Sequence, residues 1–382
     1  MSKTIIIIGA GLAGLSAALQ AAENGCNVKL VSSLPSERAQ SVMAEGGINA
    51  ALNTKDENDS PEEHFTDTIK AACGLADPNA VWGMTQAAPE LVHWLLKLGV
   101  KFNMSGYDDV DLRNFGGQKK KRTAFAQSDT GKQIMTAMID AVRRKEASGM
   151  VERFSHHSFL TLRLCGNICC GCVIRDEYSQ ETVELPGDAV IVATGGMHGL
   201  FGNTTGSLSN TGEVTAELFR LGVPLANGEM IQYHPTTVKC GGKRMLISEA
   251  ARGEGGRLFA MKDGKQWYFM EEKYPELGNL MPRDITAREI WKVSHESEVF
   301  LDMTEISEEI ISNKLSGLAD DCMTYLHKDI RKEPVSVLPG IHYLWEAFWW
   351  MSSTERRFRI FTLPENAVPN IMVPTVLVEI LC

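Results

Sequence analysis

Thr4-Ile5-Ile6-Ile7-Ile8 runs without a break into Gly9-Ala10-Gly11-Leu12-Ala13-Gly14, and then into Leu15-Ser16-Ala17-Ala18-Leu19. An apolar strand, a turn with G-x-G-x-x-G spacing and a helix start form one unit that holds a dinucleotide pyrophosphate. Gly9 permits the tight turn, Gly11 lets the backbone approach the phosphates, and Gly14 lets the helix pack on the strand. The phosphates then sit at the positive end of that helix. Cys26-Asn27-Val28-Lys29-Leu30-Val31-Ser32 reads as the second parallel strand, so residues 4–32 make a βαβ unit. NAD-binding versions usually end this strand in Asp or Glu for the ribose hydroxyl. Here it ends Ser32-Ser33-Leu34-Pro35, with Glu37 only later. That departure weakens a nicotinamide reading and leaves FAD open.

The 382 residues suffice for a large core and for two domains. A net charge of −10 argues against nucleic acid or an anionic membrane as a direct partner. The one basic run, Lys119-Lys120-Lys121-Arg122, reads as a solvated loop. No stretch reaches the roughly 18 apolar residues of a membrane span, and the first apolar run is already a strand rather than a signal segment. A cytoplasmic location is expected, and nine cysteines in that setting are expected to be free thiols.

Residues 61–100 and 128–147 carry helical periodicity. Phe159-Leu160-Thr161-Leu162-Arg163-Leu164 and Cys172-Val173-Ile174-Arg175 flank Gly166-Asn167 as two strands of a hairpin. Alternation along the second strand sends Cys169 and Cys170 to opposite faces, which favours a hairpin over a metal site built with Cys165 and Cys172. Asp188-Ala189-Val190-Ile191-Val192 reads as a buried strand ending in Ala193-Thr194-Gly195-Gly196, a second glycine turn beneath a nucleotide. Asn210-Thr211-Gly212-Glu213 opens a helix through Leu221, with Gly222 as its stop. From about Lys239 to Val337, glycine turns, short strands and polar helices mix as in an inserted lid.

Together these motifs resemble the flavoprotein subunit of the fumarate reductase/succinate dehydrogenase family, which includes L-aspartate oxidase. The resemblance covers residues 1–343. Besides the opening glycines it is carried by Ser41-Val42-Met43-Ala44-Glu45-Gly46-Gly47, Ala193-Thr194-Gly195-Gly196, Gln232-Tyr233-His234-Pro235-Thr236, Ser248-Glu249-Ala250-Ala251-Arg252-Gly253-Glu254-Gly255-Gly256, Met281-Pro282-Arg283-Asp284 and Pro339-Gly340-Ile341-His342-Tyr343. It implies an α/β fold with a Rossmann-like FAD-binding domain, residues 1–237 with 338–343 returning to it. An inserted α+β capping domain would occupy 238–337.

The same resemblance implies fumarate and succinate as substrates and an iron–sulfur subunit as electron partner. Both substrates are dianions, so their site needs cations and donors aimed at two carboxylates. In the family, flavin N5 handles the hydride and an arginine the proton; the match is Arg283. A guanidinium is a poor acid, so the role demands burial near other cations and a relay. Taken alone, Arg283 would pair with Asp284 or Glu289. His234 and His342 match the carboxylate-binding histidines. Ser248 and Glu249 match the pair that contacts a carboxylate and passes protons, and Arg252 either continues that relay or pairs with Glu254. Gly9 to Gly14, Ser32, Ser33, Gln40, Ser41, Ala44, Glu45, Gly46, Gly47, Ala193, Thr194, Gly195 and Glu213 are the expected cofactor contacts. Many relatives have a histidine at the position of Gln40 that bonds covalently to FAD. Glutamine has no nucleophilic ring nitrogen, so non-covalent FAD is expected.

After Tyr343 the resemblance stops. The family continues Met-Gly-Gly-Ile-Leu-Val-Asp-Glu, whereas this chain has Leu344-Trp345-Glu346-Ala347-Phe348-Trp349-Trp350-Met351-Ser352. Written as ATG GGA GGC ATT TTG GTG GAT GAG and started at the second base, the family stretch reads Trp-Glu-Ala-Phe-Trp-Trp-Met. The same shift turns Phe-Ala-Gly-Glu-Cys-Cys into Leu363 to Val368, and the later His-Gly-Ala-Asn-Arg stretch into Met372 to Cys382. Residues 344–382 are therefore expected to be a frameshifted reading of a family gene. The lost frame would carry an arginine that clamps the second carboxylate, a charged hydrogen bond worth roughly 1.5–3 kcal/mol.

Overall fold

Four successive isoleucines suit a strand covered on both faces, and β1 (Thr4–Ile8) is such a strand. In the computed structural model Ile7 packs into one core, with Leu15, Leu30 and Met138. Ile6 and Ile8 pack into another on the opposite face, with Cys172 and Ile174. Residues 2–106, 109–115, 118–127, 129–166, 168–344, 347–348, 359–362 and 376–381 are described.

In chain order, β1 is followed by α1 (Leu12–Glu23), β2 (Asn27–Ser32), α2 (Pro61–Ala71), α3 (Pro78–Leu98), α4 (Thr130–Ala147), β3 (Val151–Ser155), β4 (His157–Cys165), β5 (Ile168–Asp176), β6 (Ala189–Val192) and α5 (Glu213–Arg220). Then come β7 (Ile231–Cys240), α6 (Glu249–Gly253), α7 (Arg283–Val293), β8 (Leu338–Leu344), β9 (Arg359–Thr362) and β10 (Val376–Leu381). The main sheet has the order β9-β10-β6-β1-β2-β3. Strands β6, β1, β2 and β3 are parallel, β10 pairs antiparallel with β6, and β9 pairs antiparallel with β10 at the edge. This is the α/β core expected from the opening motif. The stretch 61–100 divides into two helices because each carries its own start signal. The Ser60 side chain accepts from Glu63 N and that of Asp77 from Asn79 N, each just before a proline.

The hairpin forms as expected, with Cys169 buried and Cys170 on the other face, although Asn167 lies outside the described residues. Two expectations are corrected. Cys165 and Cys170 form a disulfide across the hairpin instead of remaining free thiols, because register places their Cα atoms 6.1 Å apart. Nor is the basic run wholly solvated: Arg122 is buried, with its guanidinium on the Asp59 carboxylate and on Asp67. Lys120 and Lys121 instead pair with Glu63 and Glu57 nearer the surface.

A further core, built around Leu258, Phe269, Ile290, Leu301 and Cys322, gathers residues of 247–337. The chain enters this region from β7 and returns from it on β8, and these two strands pair antiparallel. Among the described residues no helix is long and apolar enough to cross a membrane, and no cluster of His, Cys, Asp and Glu could hold a metal ion. Most of the stretches behind the shifted-frame expectation, including Trp345, Trp349 to Ser352 and Leu363 to Thr375, lie outside the described residues.

Candidate functional site

A cleft opens where β1, β2 and β6 end. Its floor is the glycine turn, and at Gly9 and Gly14 the turn has no room for side chains. A Cβ on Gly9, which has φ +110°, would lie 2.2 Å from Ala193 O, and one on Gly14 would lie 1.8 Å from Gly9 O. At Gly11 the nearest atom to such a Cβ is Ser41 Oγ at 3.4 Å, so this backbone is open to an approaching ligand. No side chain caps the N-terminus of α1 at Gly11, although Leu12 N donates to Ser41 Oγ at 3.3 Å. Helix-end N–H groups beside a bare glycine turn suit a pyrophosphate. The residues present therefore fit a dinucleotide.

Gly9 to Ala13, Ser32, Ser33, Gln40, Ser41, Ala193, Thr194, Gly195 and Glu213 all line the cleft. Gly14, Ala44, Glu45, Gly46 and Gly47 do not. Gly14 packs under the turn, and Gly46 and Gly47 lie against Phe115 and Ala124. Glu45 instead turns toward Ser248. The sequence reading missed Arg38, His157 and Phe159, which also line the cleft and carry no motif of their own.

Beside the cleft, residues from distant parts of the chain converge. Arg283, the first residue of α7, donates from Nε to Glu249 Oε2 at 2.9 Å and from Nη1 to Gln232 Oε1 at 2.8 Å. Arg252 donates from Nη2 to Glu249 Oε1 at 2.9 Å and from Nη1 to Asn279 O at 2.7 Å. Glu249 thus bridges two guanidiniums inside the protein. Asp284 pairs with Arg288, Glu289 with Lys273 and Lys292, and Glu254 with Lys314, so none of the simpler partners engages Arg283 or Arg252. Ser248 caps α6 by accepting from Ala250 N. His234 on β7 and His342 on β8 are buried with ring centroids 5.0 Å apart. Gln232 is the residue that sequence reasoning quoted in a motif without giving it a task.

Residues 4–345 match the model of the FAD-binding domain family. The chain belongs to that family. Within it, the chain is similar to the succinate dehydrogenase and fumarate reductase flavoprotein subunits. It is 42% identical over 356 residues to the succinate dehydrogenase flavoprotein subunit of Bacillus subtilis (strain 168), covering 91% of this chain and 61% of that protein. It is 32% identical to the 8-methylmenaquinol:fumarate reductase flavoprotein subunit of Wolinella succinogenes, over 90% of this chain and 56% of the relative. L-aspartate oxidase of a Nostoc species is 33% identical over 89% and 58%. Among solved structures, E. coli quinol fumarate reductase superposes with a TM-score of 0.83 at 27% identity, over 91% of this chain and 61% of that one. The chain spans about three fifths of the length of these relatives.

The charges of this family member's buried cluster follow from their neighbours. For Glu249, burial favours the neutral acid, but Arg283 and Arg252 outweigh it and hold the carboxyl below its usual range. Burial, then Arg283, His342 and Arg252, push His234 well below the ordinary histidine value, and burial, Arg283 and His198 do the same for His342. Both rings are therefore neutral. Glu45 is raised to about 8, chiefly by burial and by Asp321, against a Ser248 hydrogen bond and the Arg113 charge.

Proposed function

We propose that this chain binds FAD non-covalently and is the flavoprotein part of a fumarate reductase or succinate dehydrogenase that interconverts fumarate and succinate. The observation that carries this reading is the convergence of Arg283, Glu249, Arg252, His234 and His342 on one buried spot beside the nucleotide cleft. Gly9 to Ala13, Ser32, Ser33, Ser41, Ala193 to Gly195 and Glu213 would hold FAD, with Gln40 at the position of the linking histidine. Bound FAD supplies the hydride chemistry. The neutral rings of His234 and His342, with the Ser248 hydroxyl, donate to the carboxylates of fumarate or succinate. The Arg283 guanidinium gives its proton to the carbon next to the one that receives hydride, and Glu249, in contact with both guanidiniums, returns a proton passed through Arg252.

An iron–sulfur subunit is the proposed electron partner. We further propose the division into an FAD-binding part (1–237 and 338–343) and a cap (238–337), supported by the separate core within 247–337. For residues from 344 onward we propose the shifted reading frame, which fits a family match that ends at residue 345.

The test is direct. The purified chain is scanned for flavin absorbance, then assayed for fumarate-dependent oxidation of reduced viologen, with the restored-frame protein alongside. Flavin in both and fumarate turnover in the restored chain support the reading. Flavin with L-aspartate-driven peroxide formation, but no fumarate turnover, would transfer it to an oxidase. A chain without flavin would be a non-catalytic remnant.

A further inference from the structure

We propose that Thr205 is a positioning residue, whose hydroxyl donates to His342 Nδ1 and so fixes that ring with its single proton on Nε2. The proposal deepens the dicarboxylate reading above and, for its consequence, rests on it: only a ring carrying hydrogen on Nε2 can donate from that atom to a carboxylate.

Thr205 lies in the Asn203-Thr204-Thr205-Gly206-Ser207 loop, and Ser207 of the same loop lines the nucleotide cleft. Thr205 N donates to Ile341 O at 2.9 Å, and Thr204 forms a bridge with Ile341, so the loop is strapped along β8 just before His342. The Thr205 hydroxyl is then 2.6 Å from His342 Nδ1, with both residues buried. Among the described residues this nitrogen is the hydroxyl's sole hydrogen-bond partner.

Two proton arrangements fit that distance. If Nδ1–H donated to the hydroxyl, the hydroxyl's own hydrogen would be buried without an acceptor, a cost of roughly 1–3 kcal/mol. If the hydroxyl donates, no hydrogen is stranded and only oxygen lone pairs go unused, the cheaper of the two omissions. The ring is neutral, because burial, Arg283 and His198 hold its basicity far below the histidine norm. A neutral imidazole that accepts at Nδ1 carries its hydrogen on Nε2.

His198 fixes the backbone around this contact. Its Nε2 lies 3.1 Å from His342 O, and a carbonyl can only accept, so His198 carries its hydrogen on Nε2 as well. Gly206 makes room for that ring, since a Cβ there would sit 2.3 Å from His198 Cγ. His234 has no such hydroxyl: its Nδ1 lies 3.1 Å from Thr236 O and 3.2 Å from Thr236 N, contacts that fit either tautomer. The assignment of a donor at Nε2 is made for His342 alone.

The experiment reads the tautomer itself. The full chain, labelled with ¹⁵N-histidine, is examined by NMR of the ring nitrogens, and the His342→Gln variant identifies the His342 signals among the nine histidines. The expected pattern is a bare Nδ1 and a protonated Nε2 in the wild type and in Thr205→Ser. Thr205→Val should lose that preference and bind succinate about tenfold more weakly by calorimetry, as loss of one hydrogen bond predicts. Protonated Nδ1 in the wild type, or a Thr205→Val pattern identical to wild type, overturns the assignment. The expected tautomers together with no succinate binding even in the restored-frame protein would uphold Thr205's role and overturn the dicarboxylate reading instead.

Discussion

Replacing Glu45 by glutamine should make the protein more stable in alkali while leaving it nearly unchanged in acid. Glu45 Oε2 is sealed from solvent and, among the described residues, has no hydrogen-bond partner. Asp321, at the end of helix Ser316–Asp321, and Asp129, before α4, add negative charge around it. Arg113 offsets them only in part, because its Nε and Nη2 are spent on the carbonyls of Glu45 and Gly46. The folded protein keeps the Glu45 proton up to about pH 8, whereas the unfolded chain releases it near 4.5. Between those values the folded state binds more protons, so stability falls as pH rises. The favourable contribution is fully present below about pH 4.5 and gone above about 8. At about 1.36 kcal/mol per pH unit, this window gives a ceiling of about 5 kcal/mol. Glutamine keeps the shape and removes the titration. Urea unfolding at intervals from pH 5 to pH 9 should give a wild-type curve that falls away from that of Glu45→Gln. Two parallel curves would refute the reasoning.

Other expectations are simpler. Gly9→Ala forces a Cβ onto Ala193 O in a backbone with positive φ, and should abolish flavin retention, read as the absorbance of the purified protein. Arg122→Met strands the buried Asp59 carboxylate and should cost about 3–5 kcal/mol by urea unfolding, with Asp59→Asn restoring part of it in the double variant. Thiol titration of the unreduced, unfolded chain should give seven free cysteines, nine less the Cys165–Cys170 pair, and nine after reduction. Acid-precipitated, washed protein should release all its flavin, because Gln40 cannot form the histidyl bond; flavin fluorescence in the pellet would contradict that.

The parts of this molecule legible in sequence are those whose cause is local. Consecutive isoleucines with glycines at Gly9, Gly11 and Gly14 fix a strand, a turn and a helix within a few residues of one another, and alternation alone placed Cys169 and Cys170 on opposite faces. Contacts that depend on the folded path were not legible from periodicity or spacing. Glu249 and Arg283 meet across 34 positions, and Thr205 and His342 across 137. Only the family resemblance put Glu249 and Arg283 in one site, and nothing singled out Thr205, because a threonine in a polar loop looks like any other. Arg122 misled for a related reason: its partner Asp59 is 63 residues away, so three flanking lysines suggested water. The disulfide was missed because compartment, rather than the hairpin register that apposes Cys165 with Ile168 and brings Cys170 close, guided the reading.

The neighbouring strands β7 and β8 have a bearing on folding order. Their pairing joins His234 to Gly340 over more than a hundred residues, and closing so long a loop carries an entropic penalty that grows only logarithmically with its length. The intervening segment can therefore lengthen or shorten at small thermodynamic expense, provided its two ends leave the sheet side by side. Both histidines sit on the paired stems rather than in the excursion, so changes in the excursion's size leave their spacing intact.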